Sequence, residues 1–148
     1  MNPPDYDYLR KLLKDHSGLD LSSDKQYLIE SRLLPLARKC GVSGIEDLVQ
    51  KMKAGSSAIV AQVVEAMTTN ETFFFRDKIP FEHFRGSIMP EMLKARAGRK
   101  SIRIWCAAGS TGQEPYSLAM SLKEMGAALA GWRVDIVATD LSQEVLEK

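Results

Sequence analysis

The stretch IRIWCAAGSTGQEPYSLAM, residues 102–120, predicts a strand, a glycine-containing loop and a helix in succession. Apolar side chains occupy every second position from Ile102 to Cys106 and recur at helical spacing only from Tyr116. The period therefore changes from two to about 3.6 across residues 109–114. At such a turn the free N–H groups and positive dipole end of the helix face the carboxyl edge of the strand. The stretch therefore predicts a ligand site.

A second strand is predicted over Arg133–Thr139, after a helix that runs from Pro115 to Gly126. The right-handed crossover rule makes the two strands of such a β-α-β unit parallel. Asp140 directly follows the second strand, where an ionised carboxylate can accept hydrogen bonds from both hydroxyls of a ribose. The C-terminal third is therefore predicted to begin an α/β domain that binds a nucleoside-like ligand.

Short amphipathic helices precede this unit and predict a small all-α domain. A helical connector follows from Ile79, with breaks expected near Gly86 and Pro90. The predicted helices of the first domain cover residues 5–16, 22–40, 43–52 and 56–67. The predicted divisions are a helical N-terminal domain over 1–77, a helical linker over 78–100 and the start of the α/β domain over 101–148.

Composition excludes several classes of protein. With 45% hydrophobic and 26% charged residues, the 148-residue chain is ordinary globular material. A net charge of +1 argues against a dedicated nucleic-acid binder. No apolar run approaches the roughly 18–20 residues of a membrane span, and the N-terminus lacks signal-peptide features, so we expect a cytoplasmic protein. The cysteines and histidines lack metal-ligand spacing, so free thiols and no metal are expected.

Two groups of basic residues stand out in the sequence. On the second helix Lys25, Arg32 and Lys39 recur every seven residues and share one face, with Arg38 beside them. That face is either simply solvated or docks an acidic partner. Residues 94–103 carry five basic side chains and no acid, which we interpret as a solubilising junction.

The segment TTNETFFFRD, residues 68–77, interrupts the helical pattern. Its three consecutive phenylalanines cannot share one face of a helix or strand, so at least one points away from the core of its own domain. The segment is either packing between domains, with a capping box from Thr68 to Glu71, or part of a ligand site. Both interpretations stay open at this point.

The charge of the glycine loop selects a ligand class. A nicotinamide fingerprint needs Gly-x-Gly-x-x-Gly, whereas this loop offers Gly109 and Gly112 followed by Gln113 and Glu114. An acid at the helix start repels a pyrophosphate but attracts an ammonium or a sulfonium. The loop therefore favours a cationic or zwitterionic adenosine ligand such as S-adenosylmethionine.

The motifs TTNETFFFRD and WCAAGSTGQEPYSLAM, in this order, closely resemble the CheR family of chemotaxis methyltransferases, which methylate glutamate side chains on chemoreceptors. The resemblance covers the whole chain and implies an all-α domain followed by the beginning of a Rossmann-like, class I methyltransferase domain. The chain departs mildly from the family pattern at Gly109, where members often carry a bulkier residue or Cys, and at Gln113, where they carry Glu.

The resemblance also implies roles for individual residues. Arg76 is expected nearest the chemistry, where a guanidinium can orient the acceptor carboxylate. The basic face of the second helix is expected to dock on the chemoreceptor's cytoplasmic helices. The implied cofactor is S-adenosylmethionine, with S-adenosylhomocysteine as product and no metal. The implied receptor-binding residues are Lys25, Arg32, Arg38 and Lys39, and the implied cofactor-binding residues are Asn70, Thr72, Arg76, Ala107, Gly109, Glu114 and Asp140.

A complete methyltransferase sheet of this class has about seven strands, whereas this chain predicts two. We therefore expect a fragment that is inactive alone and that self-associates, exchanges strands or is disordered in its last third. Two alternatives to a protein-glutamate methyltransferase stay open. One is a non-catalytic module that docks on receptors or binds S-adenosylmethionine. The other is a methyltransferase of small molecules, which would have little use for the helical domain.

Overall fold

The computed structural model describes residues Met1–Lys148 and divides into two compact units, Met1–Thr69 and Asn70–Lys148. This division falls before the segment Asn70–Asp77, which the sequence placed in the first domain. The backbone N–H of Phe75 donates to Ser117 Oγ at 2.9 Å, within the second unit. The segment therefore belongs with the α/β unit. The long-range hydrogen bond that joins it to this unit could not be predicted from any local sequence pattern.

The first unit is a bundle of four helices around one apolar core. Gly18 adopts the left-handed conformation expected of a C-cap and ends the first helix. Side chains that recur at helical spacing, such as Leu9, Leu33 and Leu48, are fully buried in this core. A short 3-10 turn, Ser23–Lys25, precedes the second helix. The helices are α1 (Pro3–Ser17), α2 (Gln26–Lys39), α3 (Ile45–Lys53) and α4 (Ser57–Met67).

The second unit begins with a helical connector and continues as β-α-β. The predicted break near Gly86 and Pro90 is a π-helical segment, Phe84–Ile88, rather than an interruption, and Met89 N donates to Phe84 O across it. A 3-10 turn, Gly126–Leu129, precedes the second strand. The elements are α5 (Ile79–His83), α6 (Met89–Ala95), β1 (Ser101–Ala107), α7 (Gln113–Met125), β2 (Arg133–Thr139) and α8 (Gln143–Leu146).

The strands β1 and β2 are parallel, with Ile102 opposite Val134 and Cys106 opposite Ala138. Because side chains alternate along a strand, one face of the sheet carries Ile102 and its apolar neighbours against α7, and the other carries Trp105. An all-α domain followed by an α/β unit with two parallel strands is thus confirmed. The carboxyl ends of both strands meet at one edge, which positions the candidate site.

Candidate functional site

The loop between β1 and α7 is closed tightly against β2. The backbone N–H groups of Ala108 and Gly109 both donate to Thr139 O, at 3.0 and 2.9 Å. A Cβ atom added at Gly109 would lie 2.8 Å from Cβ of Ala138, which is closer than such atoms approach. Only a glycine therefore allows this loop to lie against the neighbouring strand without a shift.

Asp140 joins the two loops at the carboxyl edge of the sheet. Its Oδ2 accepts a 2.8 Å hydrogen bond from the backbone N–H of Ser110, and its Oδ1 accepts one of 2.9 Å from Ser142 N. Each oxygen of an ionised carboxylate can accept a second hydrogen bond. The half-buried Asp140 carboxylate is therefore held in place by the backbone while keeping acceptor capacity.

Asn70 reaches the same edge from the start of the second unit. Its backbone carbonyl accepts a 2.9 Å hydrogen bond from Ser110 Oγ, and its side-chain Nδ2 donates to Ser142 Oγ at 3.4 Å. The structure thus brings together Asn70, the loop that contains Gly109, and Asp140. Ala107 is the last residue of β1 and lies directly before this loop.

Glu114 lies in the first turn of α7, where a negative charge interacts favourably with the helix dipole. It also neighbours Cys106 of β1. Burial raises the pKa of the Cys106 thiol to about 11, and the hydrogen bond and negative charge of Glu114 add to the effect. The thiol is therefore protonated at neutral pH beside a carboxylate that is itself exposed.

Arg76 is not drawn into this edge by a contact in the structure. Its Nη2 lies 3.8 Å from Glu71 Oε2, and its guanidinium lies 6.0 Å from the centroid of the Phe73 ring. Thr72 is half-buried in the extended segment before this turn. All three phenylalanines of the segment are exposed, by 38–55%, in keeping with the expectation that at least one points away from the core.

Five of the six residues other than glycine with a positive φ angle lie in residues 75–78 and in the glycine loop. Phe75, Asp77 and Lys78 have positive φ angles of 54°, 63° and 51° in the first, and Ala108 and Ser110 have 129° and 48° in the glycine loop. Positive φ is unfavourable for residues other than glycine and persists where surrounding contacts impose it. Strain of this kind is frequent at ligand sites, so both segments are good candidates.

The basic residues of the first unit differ in their surroundings. Arg32 donates from Nη1 to Met67 O at 2.7 Å and from Nη2 to Thr69 Oγ1 at 3.0 Å, so it binds the C-terminal end of α4. Lys25 lies 3.6 Å from an Asp24 carboxylate oxygen. Arg38 and Lys39 are exposed in the last turn of α2.

Sequence reasoning missed three serines that organise the edge. Ser110 and Ser142 connect Asn70 with Asp140, while Ser117 accepts the Phe75 N–H and is itself fully buried. Of the three, only Ser142 occupies a position that a local sequence pattern can predict, the N-cap of a helix. Its Oγ accepts from Val145 N at the start of α8.

Comparison with known families agrees with the division of the chain. Residues 4–68 match the all-alpha domain of the CheR methyltransferases, and residues 70–148 match the SAM binding domain of the same family. The chain belongs to the CheR methyltransferase family. The resemblance drawn from the two motifs is thereby confirmed, and the glycine loop, Asp140 and Asn70 all lie within the family's SAM binding domain.

Several similar proteins are named chemotaxis protein methyltransferases. The chain is 44% identical to chemotaxis protein methyltransferase 1 of Pseudomonas aeruginosa over 96% of this chain and 53% of the relative. It is 40% identical to chemotaxis protein methyltransferase Cher2 of Pseudomonas putida over 96% and 53% of the two chains. Identity to chemotaxis protein methyltransferase 1 of Vibrio cholerae is 41% over 93% and 50%. The chain spans about half the length of these relatives.

Two further properties of the structure concern ligands and membranes. No group of three or more His, Cys, Asp or Glu side chains is arranged to hold a metal ion. None of the helices combines the length and the apolar character needed to cross a membrane.

Proposed function

We propose that this chain holds S-adenosylmethionine at the carboxyl edge of its sheet, for methylation of glutamate side chains on the cytoplasmic helices of chemoreceptors. The observation that carries the proposal is the position of two acids at the glycine loop: Glu114 lies in the first turn of α7, which follows the loop, and Asp140 accepts a hydrogen bond from Ser110 N within the loop. The names and domain assignment of the family agree with this function.

Two carboxylates are expected to contact different parts of the methyl donor. Glu114 attracts the ammonium or sulfonium of the donor, because a cation is favoured beside an acid and an anion is repelled. Asp140 accepts from the ribose hydroxyls with the acceptor capacity that its two backbone hydrogen bonds leave. Asn70, Thr72, Ala107 and Gly109 complete the wall of the site.

Cys106 needs protection next to a methyl donor, because a thiolate is a strong nucleophile. The raised pKa of about 11 keeps the thiol protonated at neutral pH, so it does not compete with the acceptor for the methyl group. The buried position of this side chain adds a steric barrier.

When bound, S-adenosylmethionine supplies a methyl group, and its transfer to a carboxylate oxygen breaks the carbon–sulfur bond and leaves S-adenosylhomocysteine and a methyl ester. The charges of sulfonium and carboxylate neutralise during transfer, so alignment and exclusion of water matter more than acid or base catalysis. We assign the alignment of the acceptor carboxylate to the exposed guanidinium of Arg76, with Phe73–Phe75 as an apolar shield.

In the first unit, Arg38 and Lys39 are exposed and suit contact with an acidic receptor helix. Lys25 and Arg32 complete the proposed receptor-binding face, although both already interact within the chain. Charge reversal at Arg38 and Lys39 should then weaken binding of a receptor fragment.

Isothermal titration calorimetry tests the donor site directly. The chain should bind S-adenosylmethionine and S-adenosylhomocysteine. Glu114→Gln should weaken binding of S-adenosylmethionine by about tenfold, since a charge-assisted contact with the positively charged donor is lost. Glu91→Gln removes an exposed acid of the same unit and should change the affinity less than about twofold. Equal weakening by both variants would contradict the role of Glu114.

The alternative function is a module that docks on receptors or binds S-adenosylmethionine without chemistry. Its supporting observation is that no contact draws Arg76 toward the glycine loop. Transfer of a labelled methyl group to a receptor fragment separates the two functions, with the Pseudomonas aeruginosa relative as the positive control. Donor binding without transfer, when the relative is active, would favour the module.

A further inference from the structure

The amino ends of the two strands form a cleft that the proposed function does not use. The cleft has a volume of about 380 Å³ and lies within the second unit. Four arginines line it, with Asp135 as its only acid. These are Arg96, Arg99, Arg103 and Arg133.

The turn before β1 and the register of the strands bring these side chains together. The backbone N–H groups of Arg99 and Lys100 both donate to Arg96 O, at 2.9 and 2.8 Å, and form a tight turn after α6. Arg103 then lies opposite Asp135 in the parallel pair. Three of the five basic residues that the sequence suggested to be a solubilising junction therefore converge, with Arg133 of the second strand, on one concavity.

The cleft carries a positive charge that the chain does not neutralise. Arg133 donates from Nε to both carboxylate oxygens of Asp135, at 3.3 and 3.0 Å, so the only acid is already paired. Arg96, Arg99 and Arg103 form no ion pair in the described chain, Met1–Lys148. Three guanidinium groups are thus available around a shared space, while the whole chain has a net charge of only +1.

We propose that this cleft is a binding site for a small molecule with a chain of two or more phosphate groups. The planar fork of an arginine matches two oxygens of a phosphate group at once. Three such forks exceed what one phosphate needs, and the volume is at the lower end of the range for small-molecule pockets. The concave shape favours a compact anion over an extended acidic peptide.

The site is separate from the proposed donor site. The donor loop follows the carboxyl end of β1, whereas the cleft adjoins its amino end, so a strand of seven residues, about 20 Å, lies between them. The two sites also select opposite charges, because Glu114 repels the anion that the arginines attract. Both ligands can therefore bind at the same time.

Titration of the chain with pyrophosphate at low ionic strength tests the proposal. Binding should be saturable, should weaken as NaCl is added, and should be stronger than binding of sulfate. In a two-dimensional NMR spectrum, the amide shifts should centre on residues 96–103 and 133–135. The combined change Arg99→Gln and Arg103→Gln should weaken pyrophosphate by about tenfold or more.

The matched control is Lys51→Gln with Lys123→Gln, which removes the same charge from two exposed positions outside the cleft. It should change the affinity less than about twofold. Equal weakening by the two double variants would overturn the proposal, as would equal binding of sulfate, tighter binding of a polyglutamate peptide, or amide shifts centred on residues 108–114. Failure here leaves the donor titration untouched, because that experiment reports the opposite edge of the sheet.

Discussion

The helical unit and the α/β unit bury their apolar side chains to different extents. In the first unit, residues from all four helices, such as Leu9, Leu33 and Leu48, are fully buried in one continuous core. In the second unit, only one face of the sheet is covered, and Trp105 on the other face is 70% exposed. Packing therefore dominates the first unit, whereas hydrogen bonds and loop geometry at a strand edge position the candidate site of the second.

The largest effect should come from the core of the first unit. Leu33→Ala should lower the free energy of unfolding of that unit by about 2–5 kcal/mol, because a fully buried leucine leaves a cavity. Urea unfolding followed by far-UV circular dichroism measures it. Leu34→Ala, at a neighbouring side chain that is 40% exposed, should cost less than about 1 kcal/mol.

Both tryptophans, Trp105 and Trp132, lie in the second unit, so their fluorescence reports that unit alone. In Leu33→Ala the fluorescence transition should shift less than the dichroism transition. Equal shifts in both signals would show that the units unfold as one and would break the comparison.

A buried charge makes the stability of the first unit depend on pH in the acid range. Asp5 is only 3% exposed, and Lys53 Nζ donates a 2.8 Å hydrogen bond to its Oδ1, which lowers the pKa of the carboxyl below its usual value. Stability from this group is therefore complete above about pH 4 and is lost as the pH falls through the lowered pKa of the folded state.

Asp5→Asn should cost about 1–3 kcal/mol at pH 7 and remove this part of the acid sensitivity. Thermal melts between pH 2.5 and 7 measure both effects. Asp15→Asn, at an exposed position of the same helix, is the control and should change neither. An unchanged acid profile in Asp5→Asn would assign the sensitivity to another group.

In the second unit, the most sensitive position should be in the glycine loop. Gly109→Ala should destabilise that unit by about 1–3 kcal/mol, because its Cβ would overlap Ala138 of β2 and push the loop from the strand. Tryptophan fluorescence during urea unfolding measures the change. Gly98→Ala has open space around the new Cβ and serves as the control. Equal stability of the two variants would show that the loop tolerates bulk.

The exposed face of the sheet predicts association of the α/β unit at high concentration, since uncovered apolar strands pair readily. Light scattering should detect the larger species, and Trp105→Ser should shift its appearance to about tenfold higher concentration, since it removes the largest exposed apolar side chain there. Tyr27→Ser, an exposed aromatic in the first unit, should have no such effect. A monomer at all concentrations would contradict this prediction.

Periodicity was enough to predict the elements and one side of the site. Alternation over Arg133–Thr139 gave β2 at its observed bounds, and the parallel crossover rule then placed Asp140 beside the glycine loop. These relations are local or follow from topology, because the carboxyl ends of neighbouring parallel strands meet at one edge.

Contacts between distant segments could not be predicted in the same way. Nothing in the spacing of residues 68–77 shows that Asn70 reaches Ser110 and Ser142 across the chain. A seven-residue repeat likewise places Arg32 on a helix face but cannot show that the end of α4 lies next to it. Long-range hydrogen bonds depend on packing that a single helix or strand does not encode.

The smallest expected effect on stability concerns Arg32 on α2. Its substitution separates two roles of this residue, as a cap of the end of α4 and as a contact to an acidic partner. Arg32→Gln should destabilise the first unit by about 1 kcal/mol, because carbonyls at the end of α4 lose a donor. Arg38→Gln removes the same charge from an exposed position of the same helix and should change stability by less than about 0.5 kcal/mol. Urea unfolding of both variants measures the difference. Equal stabilities would show that Arg32 contributes little as a helix cap and is free to contact an acidic partner, as Arg38 is.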